Sequence, residues 1–232
     1  MSTRAHRPPV LAHERFAADR ASFAGLGLAA RFQRIWQTNL WGAATSASGL
    51  GSERSAAAVV GEALPHLLQR IGVHSLLDAP CGDAGWIAAC LGQVDYTGVD
   101  IVPSLIAANT LRAQRGEISG RFLTADITRD PLPACDLILC RDCLVHLSFC
   151  NILLAVARFR ASGAQWLLTT TFPEWEGNLD CEDGDWRALN MQSPPFNWPA
   201  PLELINERCT EGDGGWRDKS LGLWRIHELP QP

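Results

Sequence analysis

From residue 72 onward the chain alternates short apolar runs, each stopped by Gly, Pro or Asp, with stretches of helical periodicity. The runs are 75–79, 96–101, 121–125, 137–140 and 165–172, and the helical stretches are 84–91, 103–115 and 148–160. Strands that alternate with helices are joined by right-handed crossovers, so the pattern predicts a mostly parallel α/β sheet with helices on both faces. Two further runs, 202–209 and 221–229, flank Gly212-Asp213-Gly214-Gly215 with no helix between them. They predict a C-terminal antiparallel β-hairpin.

Upstream of the alternation, residues 1–20 are polar and contain Pro, which predicts a loose leader. Leu26, Leu28, Phe32, Ile35, Trp36 and Leu40 then recur at helical spacing. A Gly- and Ser-rich loop over 41–52 follows, and Ser52 and Glu53 open a helix that runs to about Ile71. The expected division is an N-terminal leader and helical cap over 1–52 and one domain over 53–232. Hydrophobic residues make up 47% of the chain, enough to fill one core of that size. The net charge is −5 with no basic stripe, which argues against a nucleic-acid partner. No apolar run is long enough to span a bilayer, and the first residues lack the apolar core of a signal peptide, so a cytoplasmic location is expected. Most of the 8 cysteines lie in or beside apolar segments, as reduced thiols do, and a chain this long needs no disulfide framework.

The chemistry concentrates at the ends of the first strands. The run Leu76-Leu77-Asp78-Ala79-Pro80-Cys81-Gly82-Asp83-Ala84-Gly85 reads as a buried strand, a glycine turn and a helix start. Ligands of open α/β sheets bind beyond the carboxyl ends of the strands, where glycines let the backbone approach them. No Gly-Lys-Ser/Thr follows, and Pro80 and Cys81 stand where a dinucleotide fingerprint has its first glycines. Asp78 would repel a pyrophosphate but suits a cofactor with a positive amino group. Asp100 ends the next strand at the spacing expected of an acid that holds ribose hydroxyls, and Ile101 beside it can cover an adenine face. Asp126 ends the third run, where it can accept a bond from an exocyclic amine, with Ile127 next to it.

Together these segments resemble the class I S-adenosylmethionine-dependent methyltransferases. The glycine loop 78–85 looks like their first motif, with Asp78, Pro80, Gly82 and Gly85 at the cofactor. Asp100 matches their ribose-binding acid, Ala125-Asp126-Ile127 their adenine segment, and 136–142 the fourth-strand motif that faces the transferred methyl. The usual first motif has a further glycine where Cys81 or Ala84 stands here. The likeness is closer still to a mostly uncharacterised subgroup of methyltransferase-domain proteins. It implies a Rossmann-like fold and S-adenosylmethionine as cofactor. The loop over 41–52, which begins at Trp41, and the helix before it are expected to fold over that cofactor and partly close the site, as lids do.

Methyl transfer is an in-line displacement that depends mainly on orientation, with a base needed where the acceptor is a hydroxyl or a protonated amine. Arg141, Asp142 and His146 follow the fourth strand and are the candidates, and on a helix Asp142 and His146 would share one face. Cys140, Cys143, His146 and Cys150 have zinc-type ligand chemistry, but a strand end and a helix do not bring them to one point, so no metal is expected. Residues 173–200 mix Trp175, Trp186, Phe196 and Trp198 with six carboxylates. That mixture points to an ordered wall for a small polar or glycan-like acceptor, methylated on oxygen. The alternatives are a nicotinamide-dependent oxidoreductase and a non-catalytic S-adenosylmethionine-binding protein.

Overall fold

A computed structural model describes residues 7–44, 46, 48–87 and 90–231. The elements in chain order are α1 (Leu11–Asp19), α2 (Leu28–Thr38), α3 (Arg54–Ile71), β1 (Ser75–Asp78), β2 (Asp95–Asp100), α4 (Pro103–Gln114), β3 (Arg121–Thr124), β4 (Leu137–Cys140), α5 (Phe149–Ala161), β5 (Trp166–Thr171), β6 (Glu203–Asn206) and β7 (Ser220–Arg225). The strands form one sheet in the order β3-β2-β1-β4-β5-β7-β6. The first five are parallel, while β7 runs antiparallel to both β5 and β6. The parallel sheet and the antiparallel C-terminal pair agree with the sequence pattern.

Side chains of a strand alternate between the two faces of its sheet. Leu77, Ile138 and Leu167 meet α5 on one face, and Leu76, Leu137, Leu139 and Leu168 meet α3 on the other. Strands covered on both faces are apolar throughout, which is why β4 reads Leu-Ile-Leu-Cys and is wholly buried. Local signals set the helix ends. Gly72 adopts φ +70° after α3, and Val73 N–H reaches back to the Leu68 carbonyl at 2.9 Å. Pro103 opens α4. Ser148 caps α5, accepting a bond from Asn151 N–H.

Two expectations fail. The stretch 84–91 is not a helix among the described residues, since 85–87 are turns and Ala84 sits at φ +49°. The leader is not loose from Arg7 onward, because α1 is formed, Phe16 is buried against Phe23 and Ile35, and Arg7 pairs with Asp218 beside β7. Residues 1–6 lie outside the described residues.

Candidate active site

The strand order reverses between β1 and β4, and a crevice opens there at the carboxyl ends of the strands. An open cavity of about 950 Å³ occupies it. Asp78, Pro80, Gly82, Asp100, Ile101, Asp126, Ile127, Arg141, Asp142 and His146 all line it, as does Trp41 from the cap. Gly85 does not, because it faces the outer side of its loop, where its N–H bonds to Asp83 Oδ1 at 3.0 Å. Leu28, Phe32, Ile35 and Trp36 of α2 supply an apolar roof. The cap therefore forms one wall of the cavity rather than a separate body.

The glycine loop is held from two sides. Asn109 and Arg112 of α4 donate to the carbonyls of Gly82 and Asp83 at 2.7 and 2.6 Å. From the cap, the Ser46 hydroxyl donates to the Asp83 carboxylate at 2.9 Å, and Asp83 N–H donates to Ser48 Oγ at 3.2 Å. Gly82 stands at φ +52°, and a Cβ there would collide with the Ser48 side chain, so only glycine fits. Ser46 is spent on this staple, while Ser48 and Ser52 line the cavity.

Both acids at the strand ends are buried. Asp100 accepts Gly82 N–H at 3.1 Å and Val102 N–H at 2.9 Å, one on each oxygen, which fixes the plane of the carboxylate. Burial still raises it to about 6. Asp78 accepts the Tyr96 hydroxyl at 2.8 Å, and burial, reinforced by Asp100, lifts it to about 7. Among the described residues no cation bonds to either acid. A buried carboxylate without a counterion is costly, so this end of the cavity favours a ligand that brings positive charge and hydroxyl donors. The buried Trp41 Nε1 likewise has no hydrogen-bond partner among the described residues. Asp126 is half-buried and gives one oxygen to the turn behind it, accepting Thr128 N–H and hydroxyl bonds at 2.9 and 2.6 Å.

Asp142 and His146 do not pair as expected. Asp142 sits at φ +51° and only Leu144–His146 form a short 3-10 turn, so the helical spacing of the two side chains is lost. The Asp142 carboxylate bonds instead to Lys219 Nζ at 2.6 Å and lies 3.7 Å from Arg141. Burial would raise it, but these two cations overcome burial and hold it at about 2. The Nδ1 of His146 lies 2.8 Å from the Asp185 carbonyl, which can only accept, so Nδ1 carries the proton and Nε2 the lone pair. Burial lowers the imidazole to about 4, so the ring is neutral through the physiological range. Its face stacks on Trp41, with centroids 4.3 Å apart.

Arg141 is bound bidentately by Glu207, which follows β6, with N–O distances of 3.2 and 2.6 Å, and donates to the Gly51 carbonyl at 2.7 Å. Lys219, just before β7, lies 3.6 Å from Glu207. Sequence reasoning missed Glu207 and Lys219. The one available signal was that Lys219 is the only lysine of the chain and stands at a strand start. The segment 173–200 also departs from expectation. Trp198 and Phe196 are core residues, and Trp175 packs against Trp216 under Arg7. Its acids bind the chain itself: Asp183 and Asp180 accept the N–H groups of Ser148 and Phe149 at the start of α5 at 2.7 and 2.8 Å, and Glu182 pairs with Arg20. Trp186, by contrast, lines a cavity. Cys140 and Cys143 are buried side by side, and Cys150 is exposed on α5.

This sheet order, with acids closing β1 and β2 and a cap over the crevice, defines a class I, Rossmann-like methyltransferase fold. A methyltransferase-domain family model matches residues 77–163, the stretch that holds the glycine loop, Asp100, Asp126 and the Arg141–His146 segment. Over that segment the chain is similar to a methyltransferase domain. The methyltransferase domain of bacterial CtHen1 aligns over 73% of this chain and 99% of that domain, at 12% identity and a TM-score of 0.54. Magnesium protoporphyrin IX methyltransferase from Synechocystis PCC 6803 aligns over 72% of this chain and 82% of its own, at 15% identity and a TM-score of 0.45. An S-adenosylmethionine-dependent methyltransferase from Clostridium acetobutylicum ATCC 824 aligns over 50% and 52%, at 12% identity and a TM-score of 0.43. The chain spans 51%, 57% and 44% of the length of the first solved structures it matches. A search of curated sequences returns no significant match. No helix among the described residues is long and apolar enough to cross a membrane.

Proposed function

We propose that this protein transfers a methyl group from S-adenosylmethionine to an oxygen of a small polar acceptor in the cytoplasm, with His146 taking up the proton. The observation that carries the cofactor is the pair of buried acids, Asp78 and Asp100, set in one cavity with no cation among the described residues bonded to them. When bound, S-adenosylmethionine supplies an electrophilic methyl group on a sulfonium. The residues fit it: Asp100 holds ribose hydroxyls, Asp78 and the Gly82 loop the amino-acid end, Asp126 the exocyclic amine, and Ile101 and Ile127 the adenine faces. The nicotinamide alternative would set a pyrophosphate against the same two acids, which disfavours it. Asp142 is held at about 2 by its cations, too weakly basic to accept a proton, so we assign proton uptake to Nε2 of His146.

Calorimetric titration tests the reading. S-adenosylmethionine and S-adenosylhomocysteine are expected to bind, and NADH and NADPH are not. Asp100→Ala should weaken S-adenosylhomocysteine by about 1.5–3 kcal/mol, roughly 10- to 150-fold, because a charged acceptor is lost. Unchanged affinity in that variant would refute the assignment.

The pH dependence is a second check. Both acids are raised in the free protein, so each is protonated at low pH and ionises as pH rises through about 6 and about 7. Binding a cationic amino group favours the ionised forms, so affinity should climb between about pH 5 and 7.5 with proton release. Titrations in buffers of different ionisation heat measure that release, and a flat profile without it contradicts the role of the acids. Release of S-adenosylhomocysteine across hydroxylated metabolites, glycans, amines, RNA and protein then identifies the acceptor.

A further inference from the structure

A second, smaller cavity, open to solvent, adjoins the first, and the two share Trp41, Ser48, Asp142 and His146 as common walls. Taking the methyl-transfer reading as given, an acceptor has to lie on this side of His146, since the other walls of the large cavity are claimed by the cofactor segments. The charges of the small cavity can be counted. Lys219 faces it but is bonded to Asp142 at 2.6 Å and lies 3.6 Å from Glu207, and Arg141 behind it is bound by Glu207. Two cations and two anions therefore cancel. His146 is neutral. Glu211 remains: it lines the cavity, and among the described residues no side chain or backbone group bonds to its carboxylate. Burial raises Glu211; Lys219 and Arg141 oppose that shift and Asp142 and Glu207 add to it. The net shift is upward, so the two cations shared with Asp142 and Glu207 do not fully offset its burial. Trp41 and Trp186 line the same space.

An uncompensated carboxylate between indole rings is the chemistry that holds ammonium groups. An anion would meet Glu211 and Asp142 and find Lys219 already paired. We infer that this cavity is the acceptor subsite and that the acceptor carries a positively charged nitrogen, held by Glu211 between Trp41 and Trp186.

The test titrates tetramethylammonium into the full-length protein, free and loaded with S-adenosylhomocysteine, by ligand-observed NMR. Tert-butanol and acetate serve as neutral and anionic probes of similar size. The cation is expected to saturate one site in the loaded form, where S-adenosylhomocysteine covers Asp78 and Asp100, and that site should persist in the free form. Glu211→Gln and Trp186→Leu should each weaken it tenfold or more while S-adenosylhomocysteine affinity stays unchanged. Glu211→Asp should keep part of the affinity, which guards against a variant that merely misfolds. Equal binding of tert-butanol, preference for acetate, or unchanged cation affinity in Glu211→Gln overturns the subsite. Failure of S-adenosylhomocysteine to bind the unaltered protein, with cation binding intact, counts against the cofactor reading instead.

Discussion

Replacing Glu207 with Ala is expected to cost about 3–5 kcal/mol of folding stability, the cost of leaving a buried cation without its partner. The side chains of Arg141 and Glu207 are 4% and 2% exposed, so water cannot take over the lost bonds. Burial alone would lower Arg141, yet Glu207 and then Asp142 outweigh it and hold the guanidinium above its ordinary value. In a chain of this length that loss corresponds to a melting-point drop of roughly 6–20 °C. The double variant Arg141→Met/Glu207→Leu should recover much of it, because two apolar residues of similar volume remove both unpaired charges together. Recovery will be incomplete, since the Gly51 carbonyl loses the Arg141 donor at 2.7 Å. Urea unfolding of the two variants and the parent decides the matter, and a Glu207→Ala protein within 1 kcal/mol of the parent would show that the pair carries no such weight. The pair also has a positioning role. It ties β4, the end of β6 and the Gly51 turn of the cap into one unit, and a Cβ at Gly51 would come within 2.5 Å of the Asp142 carboxylate.

The sheet was legible in the sequence because its signals are local. Apolar runs ended by Asp78, Asp100 and Asp126 mark strands and crevice at once, and the cavity collects those three acids with Pro80, Gly82, Ile101 and Ile127. What stayed hidden depends on partners distant along the chain. Arg141 finds Glu207 at a separation of 66 residues, and Asp142 finds Lys219 at 77. No periodicity reports such pairs. The leader misled for the same reason: Arg7, His13 and Arg20 look solvated in sequence but meet Asp218, Asp185 and Glu182. The acids of 173–200 read as a ligand wall, yet most of them terminate helix N–H groups or pair with these arginines and the histidine. The expected helix over 84–91 failed locally, where Ala84 at φ +49° and Gly92 at φ +57° turn the chain instead.

His146→Ala should slow methyl transfer by about 100-fold, the lower end of what a positioned base contributes. The lower end is the right choice because burial holds the imidazole at about 4, which makes it always available but weakly basic. A histidine depressed in the folded state is neutral above about pH 4. With S-adenosylmethionine saturating, where the ionisation of Asp78 and Asp100 no longer limits binding, kcat/KM for the acceptor should therefore be flat between pH 6 and 8 instead of rising through the ordinary histidine value near 6.5. The same depression makes the folded state resist protonation, so the contribution of His146 to stability is fully present above about 6.5 and fades as pH falls toward 4. Asp78 and Asp100 pull the other way over part of that range, since their protonated forms favour the fold. Separating the two effects requires a probe on the ring itself. The Hε1 resonance of His146 should titrate with a midpoint near 4 in the free protein and be absent from the Ala variant. S-adenosylhomocysteine affinity should be unchanged in that variant, because the ring contacts Trp41 and the Asp185 carbonyl rather than Asp78 or Asp100. Partial rescue by added imidazole would mark proton uptake, whereas a purely structural ring would not be rescued. Full turnover in His146→Ala on the acceptor found by screening would remove His146 from the mechanism and leave orientation alone to account for the rate.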